Sequence, residues 1–180
     1  GRYDIARAGF EQLKNHDSYR SVVPYYLLQI EYRERNYDYV VSEGERLLAV
    51  STKSVRDDLL RIVAESYFVK GDYVMSLKYI NDYPADKHSR QENYIKGYSL
   101  YRLGRYREAI SPLRTVCGAM DGLTQNASYH LAECYLNTGD LQSATSAFSM
   151  ASTEYPHYEH CYAWLPFWRF KVKTQHYTAI

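Results

Sequence analysis

Four side chains able to hold a metal crowd together at His157, Glu159, His160 and Cys161. Their spacing matches no zinc pattern that would close a tetrahedron of ligands. Pro156 just before them also disturbs regular helical presentation, so the set reads as a solvated loop. Other chemistry is missing too: there is no glycine-rich phosphate loop, no G-x-S-x-G elbow and no H-E-x-x-H. No acid, base and nucleophile converge, no metal or cofactor is expected, and the chain reads as non-catalytic. Cys117, Cys134 and Cys161 form an odd set without a C-x-x-C pair, which indicates neither a disulfide framework nor a zinc motif.

What the chain has in excess is tyrosine, 21 residues against five Phe and two Trp. Tyrosine combines apolar area with a hydroxyl tip, which suits half-buried helix faces and wet interfaces. Tyr94, Tyr98 and Tyr101 stand four and three apart and so share one helical face. With 22 basic against 21 acidic residues and a net charge of +1, no basic excess points to nucleic acid. No apolar run approaches the ~20 residues that span a bilayer.

These side chains must be carried by helices, and one stretch defines which. Residues 126–151 form two amphipathic segments joined by Thr138-Gly139-Asp140. Leu131, Ala132 and Tyr135 make the apolar stripe of the first, and Ala144, Phe148 and Ala151 that of the second. Small Ala132 and Ala144 allow close approach, so Gly97→Leu or Ala132→Leu should overpack the contact. A single hairpin cannot bury its apolar face, so copies are expected. Tyr3, Ala6, Phe10 and Leu13 give a leading half-copy that exposes a groove where a partner helix belongs. A second copy spans Val22 to Val50, with Pro24 in its first turn, Arg35-Asn36 as a turn shorter by one residue, and Gln29 and Gly44 in a small and a large apolar slot. Ser54-x-x-Asp57 and Ser89-x-x-Glu92 read as capping boxes opening the third and fourth copies, and Pro112 should bend the second helix of the fourth.

Gly71, Gly104 and Gly139 are 33 and 35 residues apart, bracketing a 34-residue period. Ser128, Leu131-Ala132, Tyr135, Ala144, Phe148 and Pro156, and again Leu60, Val63-Ala64, Tyr67, Ser76 and Ile80, resemble the tetratricopeptide-repeat signature. The resemblance covers residues 1–156 and implies an all-α, right-handed superhelical solenoid of antiparallel helix hairpins. Residues 157–180, with the aromatic run from Tyr162 to Phe170, depart from it and read as a C-terminal cap or extension, with membrane-surface or partner docking as the alternative, since Arg169, Lys171 and Lys173 flank the aromatics.

In such a solenoid the first helix of each pair lines the concave side. The residues expected there are Tyr26, Ile30 and Arg33; Arg61, Glu65 and Phe68; Tyr94, Tyr98 and Tyr101; and Tyr129, Glu133 and Leu136. Of these, Tyr26, Arg61, Glu65, Phe68, Tyr94, Tyr98, Tyr101, Tyr129 and Glu133 are the expected partner-binding residues, since Tyr and Arg are enriched among interface anchors. Tyr94 and Tyr101 fit a seam between repeats equally well. His130 reads as a packing histidine, and Asp57-Asp58 and Glu31–Glu34 as ordinary polar faces. The chaperone-tail clamp of some relatives is not expected, because Tyr26, Ile30, Ile95, Asn126 and His130 stand at its positions. The implied function is a protein-interaction module gripping a peptide or helix of a partner. Self-assembly into a homo-oligomer through repeat ends or the aromatic tail is the alternative. The Tyr-rich, degenerate repeats are similar to those of bacterial envelope-associated relatives, which implies the periplasm.

Overall fold

The computed structural model describes residues 3–119 and 121–153; the aromatic run, Cys161 and the His157–Cys161 set lie outside the described residues. The described residues form nine α-helices: α1 (Tyr3–Leu13), α2 (Val23–Arg33), α3 (Tyr37–Val50), α4 (Lys53–Lys70), α5 (Tyr73–Asp82), α6 (Arg90–Arg102), α7 (Tyr106–Val116), α8 (Gly122–Thr138) and α9 (Leu141–Thr153). A 3-10 turn, Ala85–Lys87, follows Pro84. The helices fall into two compact units, one ending at His88 and one beginning at Ser89. The architecture is all-α, with consecutive helices paired as hairpins of the tetratricopeptide type.

Each hairpin turns on the same pair of backbone bonds. A residue in the left-handed region donates its N–H three residues back, and the next residue donates five back. Gly71 and Asp72 bond Phe68 and Tyr67, Gly104 and Arg105 bond Tyr101 and Leu100, and Gly139 and Asp140 bond Leu136 and Tyr135, all at 2.9–3.2 Å. Arg35 and Asn36 do the same to Tyr32 and Glu31 at 3.1 and 2.9 Å. The turn at Arg35-Asn36 is therefore of full length, not one residue short. Arg35 simply stands where the other copies have glycine, with φ of 64°.

That correction moves the register of the second copy by one. Counted back from the turn, Leu28, Ala64, Gly97 and Ala132 occupy one position, and Gly44, Ile80, Leu113 and Phe148 are equivalent counted forward. Three copies set a small residue on the first helix against a large one on the second. At Gly97 an added Cβ would lie 2.7 Å from Leu113 Cγ and 3.0 Å from its backbone nitrogen. The second copy reverses the sizes: Leu28 is fully buried, and a Cβ on Gly44 would meet Val63 Cγ2 at 2.4 Å and Leu28 Cδ2 at 3.7 Å. Gln29 is thus not in the small slot at all. Its amide nitrogen donates to Asp58 Oδ2 at 2.9 Å.

Helix starts follow the local chemistry. Ser89 and Glu92 form the complete reciprocal capping box. The expected box at Ser54-x-x-Asp57 does not open α4, which begins at Lys53 after Thr52, so Ser54 already lies within the helix. Asp121 accepts from Thr124 N at 2.8 Å and starts α8 a turn before Asn126. Pro84 follows the end of α5, and buried Pro112 lies inside α7. Phe10 of α1 stacks on Tyr26 at 5.1 Å, and Arg7 pairs with Glu31 and Glu34, so these acids do more than solvate a face.

Two substitutions check this account by chemical denaturation. Arg35→Gly should stabilise by about 0.5–1 kcal/mol, because it relieves a left-handed conformation at the expense of some unfolded-state entropy. Gly44→Ala should destabilise by about 1–3 kcal/mol despite better helix propensity, because the buried Val63 methyl has nowhere to go.

Candidate functional site

The second unit gathers most of the sequence-predicted residues on the facing sides of α6 and α8. The start of α8 is held to α6 by Arg90, whose guanidinium donates to both carboxylate oxygens of Asp121 at 2.6 and 2.9 Å and to Thr124 Oγ1 at 2.6 Å. That pairing holds the Asp121 carboxyl well below the usual range. Further along, Tyr94 stacks on Tyr98 at 5.7 Å and Tyr98 packs on Tyr101 at 5.9 Å. His130 sits among them, 4.7 Å from the Tyr98 ring, 4.8 Å from Tyr101 and 5.3 Å from Tyr129. Tyr129 also meets Phe148 edge-on at 5.8 Å.

Glu133 is the polar centre of this cluster. Tyr101 donates its hydroxyl to Oε2 at 2.5 Å, and the Tyr129 hydroxyl lies 3.4 Å from Oε1. His130 Nδ1 stands 3.5 Å from Oε2, longer than a normal hydrogen bond, and it is otherwise unpartnered. Burial pushes the Glu133 carboxyl up, but the imidazole and the two hydroxyls outweigh it and hold it below its ordinary 4.5. Burial and the bond to Glu133 push the Tyr101 phenol up. On the other side of the ring row, Arg102 donates to the Tyr98 hydroxyl at 3.1 Å.

The first unit builds its version one register step from expectation. Counted from the turns, the equivalents of Tyr94, Tyr98 and Tyr101 are Tyr25, Gln29 and Tyr32, not Tyr26, Ile30 and Arg33. Ile30 is 6% exposed and belongs to the core. Tyr26 is 41% exposed, and its ring is taken by Phe10 of α1. Tyr25 and Gln29 reach across to Asp58 at 2.7 and 2.9 Å, and Arg61 donates to the same carboxylate at 2.5 Å. Burial pushes the Asp58 carboxyl up, yet bonds from Arg61, Tyr25 and Gln29 bring it below its ordinary value. Tyr32 is bonded to Glu65, and burial with that bond raises its phenol. Arg61 Nη1 lies 3.8 Å from Glu65, and Phe68 meets Tyr73 edge-on at 6.0 Å.

Sequence reasoning missed His130 and Asp58 as members of these clusters, and Tyr25, Gln29 and Tyr32 as the equivalents. The usable signal was the count back from each turn. Among the described residues no group of three His, Cys, Asp or Glu could hold a metal, and no helix is long and apolar enough to cross a membrane.

Residues 34–116 match the family model of the anaphase-promoting complex (cyclosome) subunit 3, and residues 126–158 match a tetratricopeptide-repeat model. The chain is a tetratricopeptide-repeat protein. Its fold is like that of MamA AMB-1, at 20% identity over 92% of this chain and 90% of that one, with a TM-score of 0.70. YrrB, described as a TPR protein with an unusual peptide-binding site, aligns at 15% identity over 90% and 82% with the same TM-score. TTC0263, a thermophilic TPR protein of Thermus thermophilus, aligns at 19% identity over 91% and 88% with a TM-score of 0.50. No curated protein matches the chain in sequence. At these identities the likeness to solved structures is one of fold. Tetratricopeptide repeats are generally protein-interaction modules, and scaffolds built from them are typically non-catalytic.

The depressed Glu133 carboxyl has a pH consequence. Its contribution to stability is present above 4.5 and is lost as pH falls through its lower folded-state value. Glu133→Gln should therefore be less stable than wild type near neutral pH, with the gap closing on acidification below 4.5 in thermal melts.

Proposed function

We propose that the chain is a non-catalytic interaction module whose α6–α8 tyrosine face holds a peptide or helix of a protein partner. The observation that carries this reading is the set of Tyr94, Tyr98 and Tyr129, Tyr94 stacked on Tyr98 and both Tyr98 and Tyr129 against His130. These rings are half-buried, they lie on one side of the helix pair, and they are not part of the apolar core. Rigid aromatic area with hydroxyl tips anchors interfaces at low entropic cost. Arg61, Glu65 and Phe68 on α4 are the corresponding expected contacts of the first unit, Tyr26 stands outside that row with its ring on Phe10 of α1, and Tyr101 and Glu133 brace the rings of the second. Binding through these residues is supported by the repeat type, whose members generally bind proteins.

The test is capture of partners from the source cell with wild type and variants. Tyr98→Ala or Tyr129→Ala should keep its helical circular dichroism and weaken the captured partner by about 2 kcal/mol. Undiminished capture by both variants would sink the proposal.

A further inference from the structure

The two units treat one equivalent position in opposite ways. In the first, Tyr67 of α4 and Tyr79 of α5 stack at 5.8 Å with an interplanar angle of 6°. Both hydroxyls donate to Glu45 Oε1 of α3, at 2.7 and 2.8 Å, and their bonds hold that carboxyl below its ordinary value. Counted from the hairpin turns, Tyr135 of α8 corresponds to Tyr67, Ala147 of α9 to Tyr79, and Arg114 of α7 to Glu45. The second unit thus keeps one ring, loses the other, and replaces the anionic acceptor with a cation.

A cleft remains where the second ring would lie. It has a volume of about 310 Å³ and is lined by Arg114, Cys117, Leu131, Tyr135, Ala147 and Met150, among others. That volume is at the small end of the range for small-molecule sites, roughly 300–1,000 Å³. Ala147 is buried at its wall. Neither the Arg114 guanidinium nor the Tyr135 hydroxyl has a side-chain partner among the described residues. A ring slot beside a guanidinium that no described side chain pairs is complementary to one ligand chemistry.

We propose that the cleft between α7, α8 and α9 binds an aromatic carboxylate, its ring stacked on Tyr135 over Ala147 and its carboxylate on Arg114. The ring supplies the buried apolar area that Tyr79 supplies in the first unit. The carboxylate reverses the charge arrangement there, accepting from Arg114 and from Tyr135. Such a group could be a free aromatic acid or the C-terminal carboxylate of a chain ending in an aromatic residue. The site shares no residue with the α6–α8 tyrosine face, so either reading can fail without the other.

The experiment titrates the full chain by calorimetry with 3-phenylpropionate, with 3-phenylpropanol, and with a short peptide ending in Phe as free acid and as amide. Wild type should bind the acid more tightly than the alcohol. Arg114→Gln should erase about tenfold of the acid's affinity, the size of one charge-assisted contact, while leaving the alcohol unchanged. Ala147→Tyr restores the missing ring and should abolish binding of both; Arg114 is exposed, so its variant tests the site even if Ala147→Tyr does not fold. Tighter binding of the peptide acid than of 3-phenylpropionate, lost in the amide, assigns the source as a polypeptide C-terminus; the reverse order assigns a free acid. The proposal is overturned by equal binding of acid and alcohol, by no saturable binding in wild type, or by an Arg114→Gln variant that binds the acid as before.

Discussion

Two helices joined by a tight turn can pack only if their crossing point is occupied once. That constraint governs every hairpin here. Gly97 admits Leu113 so closely that even a methyl would strike the Leu113 side chain and crowd its backbone nitrogen. In the second copy the same space is filled from the other side, by Leu28 against Gly44. The total volume is conserved while its source is exchanged. Interiors packed to crystal-like density tolerate such an exchange and punish any net addition. Buried Ala64 with Ile80 satisfies the same rule.

The turn fixes where that crossing falls. One left-handed residue and two backbone bonds set the phase of both helices, so an error in locating it displaces every side chain assigned afterwards. Glycine marks it in three copies because only glycine adopts positive φ without cost. Arg35 adopts it at a cost, and its side chain gives no warning. The hairpin of residues 126–151, with Gly139 in place, was therefore legible down to individual positions. The Val22–Val50 copy was legible as two helices and misread by one residue within them. Gln29 looked like a defect in an apolar slot, whereas Leu28 fills that slot and Gln29 belongs to the polar seam with Asp58.

The candidate site divides along the same line. That Tyr94, Tyr98 and Tyr101 share a face follows from spacing alone. Their company does not, because Tyr101 and Glu133 are 32 residues apart, and only the packing of α6 on α8 brings them together. His130 reads in isolation as a partly buried packing histidine. Its position among three phenol rings depends on that same packing, and so does the depressed carboxyl beside it. Asp58 likewise looks like a surface acid until Tyr25, Gln29 and Arg61 are seen to converge on it.

One pairing recurs in both units and orders the rest of the face. Three residues before the turn, Tyr32 and Tyr101 carry hydroxyls, and each is bonded to a glutamate six residues before the next turn, Glu65 and Glu133. A half-buried phenol without an acceptor, or a carboxylate without donors, would each bear an uncompensated desolvation cost, so the two residue types must occur together. Phe68 stands at the phenol position of the third copy and has no hydroxyl to give. Glu65 and Glu133 are thereby committed to holding helices together, and Tyr32 and Tyr101 with them. Tyr98 joins the face by another route: Arg102 of its own helix donates to its hydroxyl, and its ring packs on Tyr94 of α6 and His130 of α8.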